Sequence, residues 1–388
     1  MPPNMMMLKT STSFRNRWIT IILIVLLLAS VSFLIWAIYG TRKSPERYSS
    51  LTGITSTTSM PGPSEFYCPL DGSPLRDRAS TMRRPIVVQI DNAPAARNQS
   101  GLSQADIVYE AMAEGDVTRF SAIFDCHGAD VLGPVRSARL INIQLVPEYQ
   151  ALLANSGSSA GVTAALEARP DIPNINDGNY SDAYWRADDR AAPHNLMTST
   201  DNIRKAAAGA GAADTANLTP LTFKDDTPAP AITTISIPYS GIVQTSYTYD
   251  AGANSWLRFI GGEAHIDTLT GRQIAARNVI IQYVSITESD IEEDAGGNFG
   301  LEFGLTGSGK ALIFRDGQVI TATWTRPAVN QMTSYTDAAG QPVPLNRGLT
   351  FIQLVQPDFQ ASWGEARRRC ARRPGGLPRG LAGFAAGG

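Results

Sequence analysis

Cysteine and histidine are both scarce, with three of each in 388 residues. Cys68, Cys126 and Cys370 lie far apart and lack the close ligand spacings of a zinc site, so no structural metal is expected. His127 and His265 have no partners visible in the sequence, so no metal site is supported, and no cofactor is expected. An excess of either charge is also missing. The formal net charge of −2 argues against nucleic acid as a partner. Cys68 and Cys126 leave two readings open: a disulfide in an oxidising compartment, or buried thiols. Scattered cysteines weigh toward thiols.

Charge is wholly absent from residues 18–39, a run of Ile, Leu, Val and Ala with Trp18, Trp36 and Tyr39 near its ends. Its length suits a transmembrane helix, with aromatic rings at the interfaces. A cleaved signal peptide would have a shorter apolar core. A lipoprotein would need a cysteine directly after the run, and Cys68 is too distant. The expectation is a single-pass signal anchor in the cell membrane. Residues 1–17 would be cytoplasmic and the bulk of the chain extracytoplasmic. Residues 40–65, rich in Ser, Thr and Pro, read as a linker.

Residues 84–139 organise the rest of the chain. Strands are expected at 86–90, around 107–109 and at 117–124, with a turn at Gly115. Apolar residues at helical spacing come next over 136–149, interrupted by Pro147. A strand at 152–154 and helices at 162–168 and 200–213 complete a mixed α/β, or α+β, N-terminal domain over 66–213. Residues 214–230 read as a second linker. The β-rich C-terminal domain, 231–357, carries seven strand-like segments at a spacing that suggests a sandwich or open barrel. Residues 358–388, dominated by Arg, Gly, Ala and Pro, read as a disordered tail.

Several motifs resemble one known family. IVVQIDN, ARNQSGLSQADIVYEAMAEGDVTRF, GPVRSAR and APHN occur in order, followed by LNRGLTFIQLV. They resemble the YerB-like family of bacterial envelope proteins, a domain of unknown function. The resemblance spans about residues 70–355. It implies an extracytoplasmic, membrane-tethered protein with two domains and supplies no reaction.

The candidate site lies in the organising stretch and the APHN loop. Arg97, Arg119, Arg136 and Arg139, with Arg186 later, offer guanidinium forks that suit carboxylate or phosphate. Asp91, Asn92, Glu110, Ser137, His194 and Asn195 complete the set. A helix beginning near Arg136 would put Arg136 and Arg139 on one side and add its N-terminus to an anion site. The plainer reading is that the acids of this stretch pair with the arginines and fix the loops. His194 reads as a hydrogen-bonded structural residue more readily than as an acid or base.

Two catalytic look-alikes need weighing. Gly157–Gly161 fits G-x-S-x-G, which would make Ser159 a nucleophile, His194 its base and Asp182 or Asp188 the orienting acid. Residues 304–311 approach a phosphate-binding loop, yet Ala311 stands where a hydroxyl is needed and a strand-like run comes after it. The reading is therefore a protein that binds or scaffolds at the cell wall through an Arg-lined groove, its partner a wall polymer or envelope protein. The alternative is a hydrolase or transferase acting on an envelope glycan or a lipid-linked anionic precursor.

Overall fold

The computed structural model describes residues 65–293 and 296–365, and elements and counts refer to these. The anchor expected at 18–39 lies outside them, as do most of the linker before the first domain and most of the tail. Among the described residues no helix is long and apolar enough to cross a membrane.

The strands of the first segment are β1 (Ile86–Asp91), β2 (Ile107–Met112), β3 (Thr118–Phe124), β4 (Leu152–Asn155) and β5 (Asn174–Asn176), with the short hairpin β6 (Tyr184–Arg186) and β7 (Leu196–Thr198). Helices α1 (Leu140–Glu148), α2 (Ala160–Glu167) and α3 (Thr200–Gly209) lie among them. The second segment supplies β8 (Ile232–Pro238), β9 (Gln244–Asp250), β10 (Ser255–Ile260), β11 (Asn278–Tyr283), β12 (Ile286–Glu292), β13 (Phe299–Phe303), β14 (Gly307–Arg315), β15 (Gln318–Arg326), β16 (Ser334–Thr336), β17 (Thr350–Val355) and β18 (Ser362–Glu365).

Ten strands form one sheet in the order β16-β15-β14-β11-β17-β2-β3-β1-β4-β5. β11, β14, β15, β16 and β17 thus do not close a barrel or sandwich of their own. They extend the sheet begun by the first segment. The junction is β17, which pairs in parallel with β11 on one side and with β2 on the other. Strands buried on both faces read as continuous apolar runs, and both β1 and β17 do. Their alternate residues enter two cores. Ile86, Val88, Ile90 and Phe351 face one, Val87, Ile352 and Leu354 the other.

The first core is covered by a second sheet, in which β18, β8, β9 and β10 lie side by side, and by Ile203 and Ala207 of α3. The second core is covered by Ile141, Leu145 and Val146 of α1 with Val162 and Leu166 of α2. The protein is therefore β-rich with few helices, and all the described residues belong to one unit.

Two local expectations are corrected, on the tail and on the cysteines, and one, the strand after residues 304–311, is met. Ser362–Glu365, assigned by composition to the tail, is an edge strand antiparallel to β8. The phosphate-loop look-alike runs directly into β14, so no helix succeeds its glycines. Cys68 and Cys126 form a disulfide and are not free thiols. It ties residues near the start of the described chain to the end of β3.

Candidate functional site

The candidate residues do not line one groove. They divide among three settings, and Arg119 and Arg139 share one acid while Arg136 turns to another.

The first setting is fully buried. Glu110 on β2 and Arg258 on β10 pair at 2.9 Å, neither side chain exposed. Thr118 donates to Glu110 at 2.8 Å and Asn92 donates to Thr118 at 2.7 Å. Gln99 donates to Asn92 Oδ1 at 3.1 Å. His265 meets Gln99 Oε1 through Nε2, while its Nδ1 accepts from Arg258 Nε at 3.0 Å. Only a neutral imidazole with its proton on Nε2 satisfies both contacts. Burial, reinforced by the Arg258 charge, holds His265 well below its ordinary pKa and so keeps it neutral. The guanidinium carbon of Arg258 also lies 5.1–5.4 Å from the ring centroids of Phe120, Tyr247 and Phe351. Glu110 and Asn92, expected at a groove, are thus interior residues joining the two sheets. Gly101, at φ +82, lets the loop carrying Gln99 turn beneath Leu132 and donate its N–H to Asp267.

The second setting is half-closed. Glu114, in the turn between β2 and β3, accepts from Arg119 at 2.8 Å and from Arg139 through both of its oxygens. Arg139 also reaches Glu293 at 3.4 Å. Burial, with Arg139 alongside, lowers Arg119 to about 10. Burial pushes the Glu114 carboxyl up, but Arg139 and Arg119 outweigh it and hold the group below its ordinary value. Arg119 NH1 donates to the Ser137 carbonyl at 3.0 Å, so Ser137 contributes backbone to this setting. Arg139 is the N-cap residue of α1, and its own N–H is taken by Asn142 Oδ1 at 2.8 Å. The expectation that Arg136 and Arg139 act together from one side of a helix therefore fails. The helix starts after both, and each turns to a different acid.

The third setting opens to solvent. Asp91, at the end of β1, is buried, and its Oδ2 meets His194 Nδ1 at 2.7 Å and Arg136 Nε at 3.2 Å. Its Oδ1 accepts from the Ala93 N–H at 3.0 Å. Arg136 and His194 are 26% and 23% exposed, and the carboxylate that holds both is nearly closed off. Neither the terminal nitrogens of Arg136 nor Nε2 of His194 has a hydrogen-bond partner among the described residues. Arg97 donates to Asn92 O at 3.2 Å, and burial lowers its pKa. Arg190 anchors this loop through Ala96 O and Asn98 O. Arg186 donates to Asn195 Oδ1 at 2.8 Å across the β6–β7 hairpin.

His194 is oriented by Asp91, not by Asp182 or Asp188. Ser159 is the N-cap of α2, accepting from the Val162 N–H. The serine-hydrolase arrangement is not assembled. Sequence reasoning passed over Arg258 and Gln99 and gave His265 no partner, whereas it bonds both. The strand SWLRFI held the clue, because Arg258 shares a face with the buried Trp256 and Ile260. An arginine on the inward face of a strand requires a buried partner.

Comparison with known proteins agrees with this architecture. Residues 70–213 match the N-terminal domain, and residues 235–352 the C-terminal domain, of a protein family of unknown function, DUF3048. YerB of Bacillus subtilis (strain 168), provisionally named a lipoprotein, is 36% identical over 304 residues, 77% of this chain and 88% of that one. The crystal structure of YerB from Bacillus subtilis is similar with a TM-score of 0.69 at 32% identity, covering 77% of this chain and 100% of the solved one.

Proposed function

The chain belongs to this family of two-domain proteins of unknown function, and from that premise we propose that it is a membrane-associated extracytoplasmic protein that binds an anionic polymer of the cell wall. The observation that carries the reading is the sharing of one Asp91 oxygen by His194 and Arg136. Asp91 hydrogen-bonds His194 and pairs ionically with Arg136, whose Nε makes no hydrogen bond, and both side chains stay partly exposed. A guanidinium fork beside a second donor suits a phosphate or carboxylate, because two oxygens are met at once. Arg97 and Arg186 bond residues next to the pair, Asn92 and Asn195, and so add positive charge beside it.

The setting outside the cytoplasm is supported by the provisional lipoprotein name of the Bacillus relative and by the Cys68–Cys126 disulfide. The charge-free run at 18–39 supplies a helical anchor in this reading, and a lipid would serve the same purpose in the relative.

The test is binding of the full-length chain, in detergent, to cell-wall sacculi with and without their anionic polymer. Binding should weaken with salt, require the polymer and fall about tenfold or more when Arg136→Ala is combined with His194→Ala. Arg139→Ala serves as the comparison, since that side chain is tied to Glu114. Wild-type binding indifferent to the polymer, or unchanged in the double variant, rejects the reading.

A hydrolase or transferase acting on an envelope glycan or lipid-linked precursor is the second reading. Its support is the Asp91–His194 contact, which orients an imidazole as a general base is oriented. Turnover of wall material that is lost in His194→Ala would favour it.

A further inference from the structure

A cavity of about 420 Å3 lies at the carboxyl ends of β2 and β17 and shares no lining residue with the Arg136–His194 pair. β2 ends at Met112 and β17 at Val355, and the two strands run parallel. Met112, Leu354 and Val355 line the cavity. The β12–β13 hairpin, which belongs to neither large sheet, adds Ile286 and Leu301 to its wall. In open parallel sheets, the crevice beyond the carboxyl ends of the strands is where ligands are held. The volume falls within the range of small-molecule pockets, roughly 300–1,000 Å3.

The chemistry of the lining is one-sided. Tyr239 and Phe359 form an aromatic corner, with ring centroids 5.9 Å apart and planes tilted by 42°. The Tyr239 hydroxyl turns inward and donates to the Glu110 carbonyl at 3.1 Å, so the ring is what Tyr239 offers the cavity. The charged lining residues are Glu288 and Asp358, both acids and both exposed. Neither has an ion-pair partner among the described residues. Glu288 is in register with Leu301 and shares a strand face with Ile286, so the apolar side of the hairpin carries this acid. No lysine or arginine lines the wall. Arg119 and Arg139 line a smaller crevice that also includes Met112 and Leu301, and both are turned to Glu114.

We propose that this cavity binds a small organic ammonium ion with an apolar body. The aliphatic walls take the body, because burying it removes apolar surface from water. The rings of Tyr239 and Phe359 attract the cation through their electron-rich faces. Glu288 and Asp358 supply the opposite charge at the mouth. An anion of the same shape would meet two like charges and no cation. A neutral compound would gain the walls alone. The inference stands apart from the wall-polymer reading, since it uses none of Asp91, Arg136 or His194 and calls for a ligand of the opposite sign.

The test is calorimetric titration of the full-length chain, in a non-ionic detergent, with probes that share one body: phenylbutylammonium, phenylbutanol and phenylbutyrate. Leu301→Trp, which fills the cavity, is titrated in the same detergent, and subtracting its heats removes partition into micelles. Phenylbutylammonium should bind the wild type saturably, and the alcohol and the carboxylate should each bind about tenfold more weakly or worse. Glu288→Gln combined with Asp358→Asn should weaken the ammonium ion by about tenfold and leave the alcohol unchanged. Both acids are exposed, so this double variant should fold as the wild type does, and circular dichroism checks it. Added salt should weaken the ammonium ion and not the alcohol. The proposal fails if the wild type takes up no more phenylbutylammonium than Leu301→Trp does. It also fails if the alcohol binds as tightly as the ammonium ion, or if the folded double variant keeps wild-type affinity.

Discussion

Glu110 and Arg258 meet 2.9 Å apart with both side chains closed to solvent, although one belongs to the first family-matched segment and the other to the second. Tyr247, Thr245, His265 and three aromatic rings complete the enclosure of Arg258. Removing one member of such a pair leaves the other charged and buried. Glu110→Gln or Arg258→Met should therefore destabilise the protein by about 3–5 kcal/mol, as measured by urea unfolding. The double variant should lose less than the two single losses added together.

The disulfide closes a sequence separation of 58 residues. On loop-closure grounds its removal should cost on the order of 4 kcal/mol. Thermal unfolding of the wild type with and without reductant, beside Cys68→Ala with Cys126→Ala, measures this. Equal melting temperatures under oxidising and reducing conditions would show that the bridge contributes nothing.

Asp316, in the turn between β14 and β15, shows a different balance. Burial pushes its carboxyl up, but contacts from Lys224, Asn254 and Asn346 outweigh burial and hold it well below the ordinary value. A lowered folded pKa means that the stabilisation is complete above the unfolded value, about pH 4, and is lost as pH falls below it. Asp316→Asn should be less stable than wild type at pH 6, and the difference should shrink toward pH 2.5. Urea unfolding across that range tests the sign.

Arg136 and Arg139 should part company in stability measurements. Arg139→Ala strands Glu293 and leaves Glu114 with Arg119 alone in a half-closed setting, and should cost about 3 kcal/mol. Arg136 is partly exposed and leaves Asp91 still paired with His194, so Arg136→Ala should cost under about 1 kcal/mol. A reversed order would mean that the solvent-facing pair is structural.

The sequence made the individual strands readable where both faces are buried. IVVQI over 86–90 and TFIQLV over 350–355 have no polar alternation to obscure them. The hairpin of β12 and β13 escaped notice because ITESDIE alternates with acids on its exposed face and carries a register irregularity. The pairing of β17 with β2 was not legible at all, since nothing local to either strand names a partner 243 positions away in register, as with Thr350 and Ile107. The site was legible as a set of residue types and not as a grouping. Which arginine meets which acid depends on where β1, β3 and α1 end, and those ends place Arg136 with Asp91 but Arg139 with Glu114. The plainer of the two sequence readings, in which acids and arginines fix one another, describes most of these contacts.

The position of β17 has a consequence for how the protein is made. This strand is drawn from near the end of the described chain and wedged between β11 and β2. Until residue 355 has been synthesised, β2 and β11 each present an open edge, and neither has its parallel neighbour. The first matched segment emerges first and must wait as a half-sheet with a bare side. Assembly is then governed by an encounter between distant parts of the chain, which is slow and leaves sticky edges exposed in the interval. A ribosome stalled before residue 350 would release a chain of two flanks with no keystone between them, a substrate for proteases and for chaperones that shield strand edges.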